Sequence, residues 1–181
     1  MKTRWMNVFV TVAIVASVLA TPPPAIASPN LLTATKLPLT TASAAADKTT
    51  IRQLTQQWFA AWSPGATSID WDAMGELFVR EPGRLLVFDD AGDRVVVLES
   101  WEDYRSTWEP FMVQFATWQV APEGEIRVLV DGNLATTTFT LAGGGTDREG
   151  NVVRFRQRGT HVWQRSNGRW EIVREHLTTD E

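Results

Sequence analysis

The sequence predicts an α+β domain in which helices come first and a curved, mostly antiparallel sheet follows. Two observations predict it. Apolar residues recur at helical spacing in three segments between Ile51 and Phe115, whereas the second half of the chain alternates in long runs rich in Val, Thr, Phe and Trp. Short Gly-containing turns join several of those runs, which argues for hairpins and against a parallel, doubly wound sheet.

The elements follow in order. The domain is expected to start near Asp47. Thr50-Ile51-Arg52-Gln53 fits a capping box, and Ile51, Leu54, Trp58 and Trp62 mark the apolar face of a first helix that stops at Ser63-Pro64-Gly65. A second, short helix opens near Asp70, with Trp71, Met74, Leu77 and Phe78 on one face. Arg84–Phe88 and Arg94–Leu98 flank Asp89-Asp90-Ala91-Gly92-Asp93 and read as a hairpin. Ser100, with Asp103 three positions on, opens a third helix whose buried stripe is Trp101, Tyr104, Trp108, Phe111, Met112 and Phe115; Pro110 is expected to bend or restart it. Strands are expected at Thr117–Val120, Glu125–Val130, Ala135–Leu141, Val152–Arg165 and Arg169–Thr178. Gly143-Gly144-Gly145 with Asp147–Gly150 reads as a loose loop.

Two segments precede the domain. Residues 1–27 combine a basic start at Lys2 and Arg4, an apolar run from Met6 to Ala20, and the triplet Ala25-Ile26-Ala27, the three parts of a secretory signal peptide. The expectation is export to the periplasm or beyond, with cleavage after Ala27; an uncleaved N-terminal anchor is the alternative. Residues 28–46, rich in Pro, Ser, Thr and Ala, read as a flexible linker, leaving residues 47–181 as the domain.

Composition narrows the function. The whole chain carries 17 basic and 21 acidic side chains, and loss of Lys2 and Arg4 with the leader leaves 15 against 21, a net charge of −6. An acidic domain has no field to attract nucleic acid, and no basic patch is present to hold it on a membrane surface. With no cysteine and two histidines, no metal site of the usual ligand types and no cofactor are expected. No phosphate-binding loop, Ser-His-Asp order or metal-ligand spacing occurs.

The ending is the most specific stretch. Arg158-Gly159-Thr160-His161-Val162-Trp163, followed by Asn167-Gly168-Arg169-Trp170-Glu171-Ile172-Val173-Arg174-Glu175-His176-Leu177-Thr178, resembles the last hairpin of SnoaL-like domains. These belong to the nuclear-transport-factor-2-like superfamily, and the association domain of calmodulin-dependent kinases ends similarly. Arg174 stands where histidine is common, and Thr178 where serine is common. The resemblance covers about residues 47–181 and implies a curved sheet and three helices enclosing a cone-shaped pocket. Function varies widely on this fold, from isomerases, cyclases and dehydratases to assembly modules and binders.

The last turn leaves two registers. A two-residue turn on Asn167-Gly168 sets His161 opposite Arg174 and Thr160 opposite Glu175. A three-residue loop over Ser166-Asn167-Gly168 sets His161 opposite Val173 and Gly159 opposite Glu175. The resemblance favours the second, because similar endings put pocket residues at the positions of 161 and 177. Gln157, His161, Trp163, Val173, Glu175 and Leu177 then face the pocket, with Trp58 and Tyr104 from the helices. His161 and Glu175 would be diagonal neighbours, able to work as an acid–base pair or to satisfy each other structurally. Arg158, Thr160, Arg174 and His176 would fall on the opposite face, which in relatives often packs against a second subunit.

Steroid-isomerase relatives use a strand aspartate, a tyrosine and a protonated acid. Here Tyr104 is the only tyrosine, and Asp89 and Asp90 are expected to be solvated at a hairpin tip, so that constellation does not assemble from the sequence. The resulting expectation is an exported protein binding a small apolar or aromatic molecule, acting as a homodimer. The alternatives are a cofactor-independent isomerase, cyclase or dehydratase using His161 and Glu175, or an oligomerisation module.

Overall fold

The computed structural model describes residues 41–90 and 94–180. The signal-peptide reading, and the linker reading as far as residue 40, lie outside them. Helix α1 spans Thr41–Ala61, α2 Trp71–Gly75 and α3 Trp101–Met112. The strands are β1 Leu86–Asp90, β2 Val95–Leu98, β3 Phe115–Asp131, β4 Leu134–Asp147, β5 Val152–Ser166 and β6 Arg169–Thr179. They form one open sheet in the order β2-β1-β6-β5-β4-β3, antiparallel except where β1 meets β6.

Helix α1 begins at Thr41, earlier than the expected start near Asp47. Thr50 is therefore interior, and no capping box forms; its hydroxyl donates to the Ala46 carbonyl at 3.1 Å. Asp47 is buried and bound to Arg165 at 2.8 Å, which ties this end of the helix to β5. Ile51, Trp58 and Trp62 are buried as their spacing requires, and Thr55 and Phe59 widen the stripe. Asp70 and Ser100 cap α2 and α3 by accepting from the N–H of Ala73 and Asp103, each at 3.0 Å. Helix α3 passes through Pro110, which has no N–H to give the Ser106 carbonyl, and ends two residues later at Met112.

The sheet differs from the sequence expectation in three places. Thr117–Val120 and Glu125–Val130 are parts of one strand, β3, whose register slips between Glu123 and Arg127 around Gly124, with φ at +78°. Gly143-Gly144-Gly145 is not a loop but lies inside β4, paired on both sides. Its glycines serve close approach: a Cβ on Gly143 would sit 2.4 Å from the Phe155 ring, and one on Gly145 would sit 2.0 Å from the Thr117 carbonyl oxygen.

The third difference is the register of the last hairpin, where neither expected pairing holds throughout. The turn is the two-residue one, with Asn167 and Gly168 both at positive φ (+53° and +80°) and Ser166 opposite Arg169. Trp163 accordingly faces Ile172, but Val162 faces Arg174, so Val173 is an extra residue in β6. This bulge shifts everything beyond it by one. His161 lies directly opposite Glu175, and Gly159 opposite Leu177. The inward set expected from the three-residue loop is recovered by a different route. Ile172 and Val173 are both buried, as a bulge allows.

Candidate functional site

The helices cover the concave face of the sheet, and between them lies an open cavity of about 750 Å³. Its walls are mainly aromatic. Trp58 comes from α1 and Trp62 from the turn just after it, Trp108 and Phe111 from α3, Trp118 from β3 and Phe155 from β5. These positions follow from local period: residues four apart share a helix face, and alternate residues share a sheet face. Trp118 stacks on Phe155 with ring centroids 5.4 Å apart, and Phe111 meets Trp118 edge to face at 5.8 Å. Val120, Leu141 and Leu177 add aliphatic surface, while Gln157, Asp89 and Asp90 supply polar groups.

Of the residues expected to line the pocket, Trp58, Gln157 and Leu177 do so. Tyr104, Trp163 and Val173 are buried in the core and do not reach the cavity surface. His161 and Glu175 come together as expected, but they are sealed at 0% and 1% exposure beneath the cavity wall rather than in it. The burial follows from the weight of ring atoms over them: Trp58, Phe139 and Trp163 surround the His161 imidazole at 4.9, 4.9 and 5.7 Å.

A chain of contacts connects these sealed groups to the turn after α1. The Trp62 indole Nε1 donates to the Tyr104 hydroxyl at 3.1 Å, and that hydroxyl donates to Glu175 Oε1 at 3.2 Å. His161 Nε2 stands 3.2 Å from Glu175 Oε2. That approach is close enough for an ion pair, yet neither atom makes a hydrogen bond of acceptable direction among the described residues. The contact is therefore an electrostatic one, weaker than an aligned hydrogen bond. Burial and the neighbouring Glu175 carboxylate raise the Tyr104 phenol well above its usual range, so it stays protonated as a donor.

The buried acid that reaches the cavity is Asp89, which the sequence reading places in solvent. It is 8% exposed. The physical reason is the parallel pairing of β1 with β6, which sets Asp89 opposite Leu177 and Val87 opposite Glu175. The Gln157 amide donates to Asp89 Oδ1 and to the Asp90 carbonyl, both at 3.0 Å. Burial, followed by repulsion from Glu175, pushes the Asp89 carboxyl from 3.8 up to about 7; the Gln157 hydrogen bond opposes the rise. A carboxyl titrating there can take or give a proton near neutral pH. No local sequence signal marks it, because its burial depends on a strand more than eighty positions away. Among the described residues no group of three or more His, Cys, Asp or Glu could hold a metal.

A helix-covered, strongly curved open sheet around an aromatic cavity defines the nuclear-transport-factor-2-like class. A sequence model of the SnoaL-like domain matches residues 51–178, and the chain belongs to that family. A search of curated proteins finds no match. Among solved structures, a nuclear-transport-factor-2-like protein of Salmonella enterica serovar Typhimurium superposes with a TM-score of 0.65 at 16% identity, covering 76% of this chain and 93% of that one. A candidate scytalone dehydratase of Novosphingobium aromaticivorans gives 0.65 at 13%, covering 78% and 89%. The association domain of Caenorhabditis elegans CaMKII gives 0.56 at 19%, covering 76% and 98%. At these identities the likeness is one of fold.

Proposed function

We propose that the protein binds a small, largely apolar or aromatic molecule in the cavity between α1, α3 and the sheet. The observation that carries this reading is the cavity itself. Its volume of about 750 Å³ lies within the range of about 300–1,000 Å³ common to ligand sites, and its wall is aromatic with few polar groups. Purification of the protein from its native source followed by native mass spectrometry tests the reading. The expected result is a co-purifying small molecule that is lost from a Leu177→Trp variant, whose added ring fills the space. Retention of the same molecule by that folded variant would place it elsewhere.

Asp89 favours a second reading, a cofactor-independent isomerase, cyclase or dehydratase. In that reading Asp89 is the group that touches the substrate, since it stands in the cavity wall with a pKa of about 7. Glu175, packed against His161, acts through it as the buried neighbour whose charge raises its carboxyl. The similar structure named as a candidate dehydratase agrees with this class in fold only. Export is proposed from residues 1–27, and a mature N-terminus at Ser28 is the expected mass-spectrometric result. Pairing of two copies through the outer sheet face is proposed from the polar and apolar groups exposed there.

A further inference from the structure

Charge is distributed unevenly around the cavity, and the distribution bears on what enters it. Asp90, Asp180, Arg154 and Arg156 line the cavity, and two buried carboxyl groups lie on its inner side, Asp89 in the wall and Glu175 beneath it. No arginine or lysine of the described residues forms an ion pair with either. The side-chain donor to Asp89 is the neutral Gln157 amide, and Glu175 meets the Tyr104 phenol and the His161 ring. The two arginines that line the cavity are paired or solvated. Arg156 pairs with Glu123 at 2.6 Å and with Asp180, and Arg154 is exposed to water. Charges in water are screened, whereas buried ones act through a low dielectric, so the acids dominate the interior field.

The aromatic wall points the same way. The faces of Trp and Phe rings carry negative quadrupole charge and attract cations, most strongly when water is excluded. Six such rings surround the space beside Asp89. We infer that the ligand is a protonated organic amine bearing an aromatic or alicyclic ring, with the ammonium group against Asp89 and the ring among the indoles. This rests on the small-molecule reading above and specifies its chemistry.

The groups acting on Asp89 come from every element around it. They are Glu175 on β6, Gln157 on β5 and Asp90 on β1; Tyr104 on α3 feels the Asp89 charge in turn, while α1 and the turn after it offer the uncharged Trp58 and Trp62. A cation docked beside Asp89 favours its ionised form. Binding below about pH 7 therefore releases a proton, and amine affinity rises as Asp89 ionises.

Calorimetric titration of the full chain with 2-naphthylethylamine, the matching alcohol and the matching carboxylate tests this. At about pH 8 the amine is expected to bind roughly tenfold or more tightly than either analogue. At about pH 5, where Asp89 is protonated, the ratio of amine to alcohol affinity should shrink to the part the rings supply, and in Asp89→Asn it should be equally small at both pH values. Equal binding of alcohol and amine by the parent protein at the higher pH overturns the inference while leaving a small-molecule site in place. Tighter binding of the carboxylate overturns it as well. Failure of all three probes to bind counts against the small-molecule reading itself and removes the inference with it. The parent protein alone decides between these outcomes, so the test survives if the variant does not fold.

Discussion

Asp89 holds its proton in the folded chain up to about pH 7, while an unfolded chain gives it up near 3.8. Between those values the native state binds more protons than the unfolded state. The contribution of Asp89 to stability therefore falls as pH rises across that window, and the penalty is complete above about 7. A shift of this size corresponds to at most about 4 kcal/mol. Asp89→Asn keeps an acceptor for Gln157 and removes the charge. It is expected to unfold at higher urea than the parent at about pH 8, with the two converging toward about pH 4. A variant less stable than the parent at the higher pH would mean that the carboxylate is compensated in the fold. Glu175 provides a second check, because its charge is the next cause of the Asp89 shift after burial. Glu175→Gln retains an oxygen for the Tyr104 hydroxyl, and the Asp89 titration should move down from about 7, as read by carboxyl ¹³C shifts. An unmoved midpoint would show that the two carboxyls do not sense each other.

One extra residue in β6 decides which side chains face inward. The Asn167-Gly168 turn alone would put Glu175 on the outer face, beside Arg158 and Thr160. Val173 adds one position to the strand and returns Glu175 to the inner face, opposite His161. The bulge sits where other chain segments dock on β6. Ile172 donates its N–H to the Leu77 carbonyl at 2.7 Å and accepts from Val79 at 3.0 Å, and β1 pairs from Arg174 onward. Deleting Val173 should rotate Arg174 toward the His161 side of the sheet and expose Glu175. Burying an unpaired charge in this way is expected to cost at least about 3 kcal/mol. Denaturant unfolding with near-ultraviolet circular dichroism measures this. A deletion variant with parental stability and aromatic signal would show that the turn, not the bulge, controls the parity.

At the scale of the molecule, the sheet has an inner face lined by the core and an outer face that is exposed among the described residues. Arg158, Arg174 and His176 are exposed on that outer face, with Phe88 at 38% and Val97 at 50% toward the β1–β2 end. A two-fold pair would cover this face once and leave no second copy of it free. Sedimentation of the mature chain at about micromolar to tens of micromolar concentration is expected to give a dimer, which Phe88→Lys should weaken. A parent protein that sediments as a monomer throughout that range would argue that the face is solvated. Such a result would not touch the cavity, whose wall comes from a single chain.

Much of the fold was legible because its signals are local. Ile51, Trp58 and Trp62 declare a helix by spacing alone, Ser100 and Asp103 declare its neighbour's start, and the alternation in Val152–Arg165 declares a strand. The ending from Arg158 to Thr178 carried the family. Part of the site was legible for the same reason: Gln157 and Leu177 lie on the inward side of their strands, and Trp58 on the inward side of its helix. The chemistry was not. Asp89 reads as a hairpin-tip acid until β1 lies parallel to β6, a pairing between segments far apart in sequence that no local pattern encodes. The meeting of His161 and Glu175 across one rung required the Val173 bulge, and sealing them required rings from α1, β4 and β5. Periodicity is a property of neighbouring residues and is written in the sequence by itself. Burial, and the shift it imposes on a carboxyl, arises from what distant segments place around it, and only the tertiary structure decides that.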